Sequence, residues 1–150
     1  MRSRRFVPLV LVLLAVAGCA SIRLATGAAV RTALRADRVS ISPGEAVRFV
    51  AAAKNPTADR VLLGETCGSA LDVLVTQPGG ASQSVQVAEM GAEFSANCRQ
   101  HEHIVGPGDS SVVTLRWVAP EVRGEYLARA GLRGPSGFSN LSDPIRVVVE

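Results

Sequence analysis

Turns bearing Pro and Gly cut this chain into short pieces. Ser42-Pro43-Gly44-Glu45, Gln77-Pro78-Gly79-Gly80, Gly106-Pro107-Gly108-Asp109 and Gly134-Pro135-Ser136-Gly137 separate its apolar runs. Pro presets φ at the first inner position of a tight turn, and Gly supplies a positive φ at the second. The runs between them alternate with period two. Val39 and Ile41 are followed by Val47, Phe49, Ala51 and Ala53, which alternate with Arg48, Val50 and Ala52. Leu71, Val73 and Val75 alternate with Asp72 and Leu74; Val113, Leu115 and Trp117 share one face, as do Tyr126, Ala128, Ala130 and Leu132. Shorter strands are expected over 60–63, 82–88, 98–105 and 145–149, with 89–97 irregular. No long amphipathic helix competes with them. Seven to nine short strands at this spacing predict an all-β antiparallel sandwich. A small barrel is the alternative; irregular turn lengths, and a single cross-link able to tie two sheets, favour the sandwich.

The first nineteen residues have a different character. Met1-Arg2-Ser3-Arg4-Arg5 precedes an apolar run over 6–17, interrupted by Pro8, and then Gly18-Cys19. A spanning helix needs roughly 20 apolar residues, so this stretch reads as a secretory signal peptide. Val16-Ala17-Gly18-Cys19 further resembles the lipobox of bacterial lipoproteins. That resemblance implies cleavage before Cys19 and acylation of its sulfur, with membrane lipid as the first partner. Ala20 and Ser21 follow, and the lack of Asp after the cysteine implies the outer membrane in a two-membrane host. The expected organisation is a lipoprotein signal peptide over 1–18, a membrane-proximal tether over 19–33 and the sandwich over 34–150. The protein is then exported and membrane-anchored, at the periplasmic face of the outer membrane or the cell surface.

The leader changes how charge is read. The full chain has 16 basic and 13 acidic residues. Residues 1–18 hold Arg2, Arg4 and Arg5 and no acid, so the remainder carries 13 of each sign. Total charge therefore gives no support to nucleic acid as a partner. Cys67 and Cys98 are left once Cys19 is acylated. In an exported protein such a pair forms a disulfide, closing a loop worth roughly 3–4 kcal/mol in the chain-entropy model. Two buried thiols or half of a metal site are the other readings, although zinc usually takes cysteines in close pairs and neither has a near neighbour.

Three stretches together resemble a known family. They are Lys54-Asn55-Pro56-Thr57-Ala58-Asp59-Arg60-Val61-Leu62; Leu71-Asp72-Val73-Leu74-Val75 with its Pro-Gly-Gly turn; and Gly106-Pro107-Gly108-Asp109-Ser110, leading to Trp117 and then Gly124-Glu125-Tyr126-Leu127-Ala128. Their order resembles bacterial immunoglobulin-like sandwiches, in particular the intracellular proteinase inhibitor (BsuPI-type) domain, over roughly residues 34–132. The resemblance implies an immunoglobulin-like sandwich and, as an alternative function, protease inhibition. The family's aromatic segment of the Trp-x-Trp kind is replaced here by Ala81-Ser82-Gln83-Ser84-Val85-Gln86-Val87, and no inhibitory residue is carried over.

Chemistry-bearing motifs are few. His101-Glu102-His103 puts two imidazoles on one face of a strand, a weak metal candidate that needs a third ligand. There is no nucleophile elbow, P-loop or dinucleotide fingerprint, so neither enzyme activity nor a cofactor is expected. Trp117 reads as core, and Tyr126 as the source of a tyrosine-corner bond. Recognition is expected from the loops 55–59, 89–97 and 134–142. Among these, 89–97 combines Met90 and Phe94 with two acids. The functional expectation is a binding module or structural accessory of the envelope, with a protein partner there and metal handling as a further alternative.

Overall fold

The structure, a computed structural model, describes residues 25–26, 29–77, 79–90 and 99–150. The expected signal peptide over 1–18, Cys19, Phe94 and Cys98 lie outside the described residues, and of Met90 only the backbone is described.

The turns fold as their residues dictate. In Ser42–Glu45, Gly44 has φ 79° and Glu45 N–H donates to the Ser42 carbonyl. Gly108 repeats this at φ 73°, with Asp109 N–H donating to Gly106. Both fit a turn with Pro at the first inner position and Gly at the second.

Between the turns run β1 (Ala25–Thr26), β2 (Arg31–Ala36), β3 (Ser40–Ile41), β4 (Ala46–Lys54), β5 (Val61–Thr66), β6 (Leu71–Thr76), β7 (Ser82–Ser84), β8 (His101–Val105), β9 (Ser110–Val118), β10 (Gly124–Gly134), β11 (Gly137–Ser139) and β12 (Ile145–Val149). The one helix among the described residues is α1 (Val85–Met90). Eight of these strands have five residues or more, within the expected range.

One sheet has the order β2-β4-β9 and the facing one β3-β12-β10-β6-β7, with β11 on β10; β1-β5-β8 forms a third, smaller sheet. Almost every pairing is antiparallel. The exceptions are β1 with β5 and β3 with β12. The first edge of the sandwich therefore divides: β2 pairs with β4 in one sheet, and after three intervening residues β3 joins β12 in the other. Two facing antiparallel sheets with this divided edge make the domain an immunoglobulin-like β-sandwich.

The core lies between the two sheets. Val47, Phe49, Ala51 and Ala53 of β4 are fully buried, as are Val73, Ala128, Ala130 and Val147 opposite them. Trp117 sits between Tyr126 (ring centroids 5.2 Å apart) and Phe49 (6.4 Å). Tyr126 Oη–H donates to the Val122 carbonyl at 2.7 Å, a tyrosine-corner bond at the β9–β10 turn.

Three local expectations are corrected. The strand expected over 82–88 stops at Ser84 and becomes α1. The cause is capping: Val87 N–H donates to Ser84 Oγ at 3.2 Å, and Gln86 N–H donates to Asp72 Oδ1 at 3.0 Å, so two of the orphan donors of the first turn are satisfied. Asp72, which alternation alone places on the solvent side, is completely buried for that reason. The sandwich also begins earlier than residue 34. Val30 is buried and Arg31-Thr32-Ala33 form the first half of β2, paired with Ala52–Lys54 of β4.

Candidate functional site

The densest polar constellation lies where β5, β6, α1 and β10 meet. The Asp72 carboxylate accepts from Val73 N–H (2.6 Å), Gln86 N–H (3.0 Å) and Ser84 Oγ–H (2.5 Å). Gln86, itself buried, presents Oε1 to Ser69 N–H at 3.1 Å and to Arg133 Nη2 at 3.2 Å. Arg133 Nη2 also donates to the Cys67 carbonyl, while its backbone N–H donates to Ala70. Cys67 is a disulfide cysteine. A buried carboxylate is tolerated only when its oxygens are fully engaged, and here three donors meet it. The cluster ties the start of α1 to β6 and β10. Its polar atoms are directed at backbone groups and at one another.

The loops expected to carry recognition are tied down in the same manner. Asn55 is fully buried. Its Nδ2 donates to the carbonyls of Asp59 (2.7 Å), Val105 (3.2 Å) and Gly106 (2.9 Å), and its Oδ1 accepts from Thr57 N–H and Thr57 Oγ–H. Loop 55–59 is thereby pinned to the β8–β9 turn. Loop 134–142 is pinned to β2: Asn140 Nδ2 donates to the Val30 carbonyl at 3.1 Å, and Thr32 Oγ–H donates to the Asn140 carbonyl. Residues 91–97 of the third loop, Phe94 included, lie outside the described residues.

His101 and His103 do fall on one side of β8, opposite Thr66 and Gly64 of β5. They differ in setting: His101 is exposed and His103 half-buried. His103 lines an open groove of about 480 Å³ with Glu102, Asp109, Ser110 and Ser111, and its Nε2 is buried without a hydrogen-bond partner. Among the described residues no three His, Cys, Asp or Glu side chains come together as a metal site, so the third ligand such a pair requires is not supplied there. No helix among the described residues is long and apolar enough to cross a membrane.

No family model matches this chain, and no curated protein does. Solved structures do. The chain resembles the CARDB domain of a Pyrococcus furiosus protein in complex with di-metal ions, at 14% identity and TM-score 0.49, over 80% of this chain and 91% of that one. It resembles part of a β-glucosidase from Erythrobacter marinus at 14% identity and TM-score 0.51, over 81% of this chain and 15% of the enzyme. It also resembles part of the alkylpurine DNA glycosylase of Pseudomonas fluorescens bound to DNA, at 9% identity and TM-score 0.52, over 81% and 30%. At such identities the likeness is one of fold. The chain spans less than a third of either enzyme.

Sequence reasoning missed Asp72, Gln86 and Arg133 as a unit because they are far apart in the chain and each sits in an ordinary alternating run. A signal was present for Asn55: it precedes Pro56 at the end of a nine-residue strand, and Thr57 two residues on can close an Asx turn.

Proposed function

We propose that this protein is an exported lipoprotein, anchored by acylated Cys19, whose immunoglobulin-like domain binds a partner in the bacterial envelope rather than catalysing a reaction. The observation that carries this reading is the leader itself: Arg2, Arg4 and Arg5, a short apolar run and Val16-Ala17-Gly18-Cys19, placed only eleven residues ahead of the buried Val30. Two or more acyl chains make such attachment stable. The binding role is supported by the direction of the buried polar groups. Asp72, Gln86 and Asn55 are committed to backbone and neighbouring side chains, which leaves the rigid sandwich as a presenting surface.

Cys98 is the proposed partner of the bonded Cys67, being the cysteine that remains once Cys19 carries lipid. Protease inhibition is not part of this proposal, because residues 81–87 contain no aromatic and 82–87 form β7 and the start of α1.

Metabolic labelling with palmitate tests the anchor. The full chain is expected to take up label and fractionate with membranes, and Cys19→Ala is expected to abolish both. Label retained by Cys19→Ala, or wild-type protein wholly in the soluble fraction, overturns the reading.

A further inference from the structure

The two sheets present very different outer faces. On the β2-β4-β9 sheet the outward positions alternate with the buried ones, as the pleat requires. Arg31 and Arg35 of β2, Arg48 and Lys54 of β4 and Arg116 of β9 are all exposed there. No carboxylate occupies any strand position of this face. Asp37, one residue past the end of β2, accepts from Arg48 N–H and lies 4.0 Å from Arg38.

The register makes the arrangement costly. Arg31 stands directly opposite Lys54, and Arg48 directly opposite Arg116. Like charges paired across strands destabilise a sheet. The facing sheet shows the usual remedy: Arg146 Nη1 meets Glu125 Oε1 across β12 and β10 at 3.4 Å. Among the described residues, none of the five cations has such a partner. A face that holds two opposed cation pairs without counter-charge is complementary to an anionic surface outside the molecule.

We propose that the outer face of the β2-β4-β9 sheet docks onto anionic phospholipid headgroups. Three features favour lipid over other polyanions. The cations spread over a patch about 20 Å by 10 Å, from strand rise and spacing, so they are set out across a broad surface. Exposed Val50 and Val112 lie between the charged rows, suited to the boundary between headgroup and acyl chain. The aromatic side chains of β4 and β9, Phe49 and Trp117, both point inward, so this face offers no platform for stacking bases. Within this sheet the strand nearest the amino terminus, β2, is also an edge strand. For the location of that lipid surface the proposal rests on the envelope reading above; the binding itself does not require an acyl chain.

The test uses unlipidated residues 20–150, which contain every described residue and the whole core. It is expected to sediment with phosphatidylglycerol-rich vesicles at low salt, to be released at high salt, and to ignore phosphatidylcholine vesicles. Arg48→Glu with Arg116→Glu is expected to weaken binding at least about tenfold, since each basic residue near an anionic surface adds to attraction. Arg129→Glu with Arg146→Glu, the same charge change on the facing sheet, is expected to leave it unchanged. Arg48→Gln with Arg116→Gln covers the case of misfolding: it removes the repulsion, so it is expected to raise the unfolding midpoint while lowering vesicle binding. The proposal is overturned by no sedimentation of the wild-type domain, by equal sedimentation with neutral vesicles, by equal loss in both Glu pairs, or by tighter binding to duplex DNA than to vesicles. None of these outcomes depends on Cys19, so a failed palmitate experiment and a failed vesicle experiment are separate results.

Discussion

Asp72 shows how much one side chain can decide. Its carboxylate, completely buried, ends a strand pattern and starts a helix by accepting from Gln86 N–H and Ser84 Oγ–H. Removing it leaves two buried backbone donors, Val73 N–H and Gln86 N–H, and the half-buried Ser84 hydroxyl without this acceptor, and a donor left unsatisfied costs free energy. Asp72→Ala is therefore expected to lower stability by about 3 kcal/mol, read as a shift in the urea midpoint. Asp72→Asn keeps Oδ1 as an acceptor and lets Ser84 Oγ accept in turn, so roughly half that loss is expected. An Ala variant as stable as wild type would show that α1 does not depend on this cap. None of this is legible from spacing, because Leu71-Asp72-Val73 is indistinguishable from an ordinary half-exposed strand until Gln86 is brought beside it.

Individual elements differ in how plainly the residues announce them. β4 and β9 are marked twice, by Pro-Gly turns before them and by strict alternation within, and both appear as expected. β2 is hidden: Arg31-Thr32-Ala33-Leu34-Arg35-Ala36 has small residues and only one large apolar side chain, so its strand state comes from pairing with β4 along its whole length. α1 is hidden for the opposite reason, since Val85-Gln86-Val87 imitates a strand. The turn after β8 offers a clean separation of backbone and packing effects. Gly108 has φ 73° with open space where a Cβ would stand, whereas a Cβ on Gly106 would lie 2.5 Å from Asp109 Oδ2, the free end of an exposed side chain. Gly108→Ala is expected to cost about 1 kcal/mol through backbone strain alone. Gly106→Ala is expected to cost less, because Asp109 can rotate away. The reverse order in thermal melts would contradict this account of the turn.

For the whole molecule, the balance of 13 basic and 13 acidic residues over 19–150 describes the sum and conceals the layout. The charged strand positions on the outer face of the β2-β4-β9 sheet are all basic, whereas Glu125 sits beside Arg146 on the facing sheet, and only the register reveals that Arg48 meets Arg116. The same scale governs the cross-link. A bond from Cys67 to Cys98 encloses β6, β7 and α1, so its effect falls on the cooperative unit rather than on one loop. Cys67→Ser and Cys98→Ser are each expected to lower stability by roughly 3–4 kcal/mol and by the same amount as one another, with the β-type circular dichroism retained. Unequal losses would argue that the two sulfurs are not each other's partners.

The divided first edge has a mechanical side. β3 runs parallel to β12 and is held by Val148 N–H to the Val39 carbonyl at 2.8 Å and Glu150 N–H to the Ile41 carbonyl at 2.9 Å. Tension between the residues ahead of β2 and those at β12 drags these two strands lengthwise past each other. Their links then share the load and must rupture together, whereas a hairpin pulled from its open end would peel one bond at a time. A domain moored at one end and gripped at the other would thus meet force along its most resistant direction.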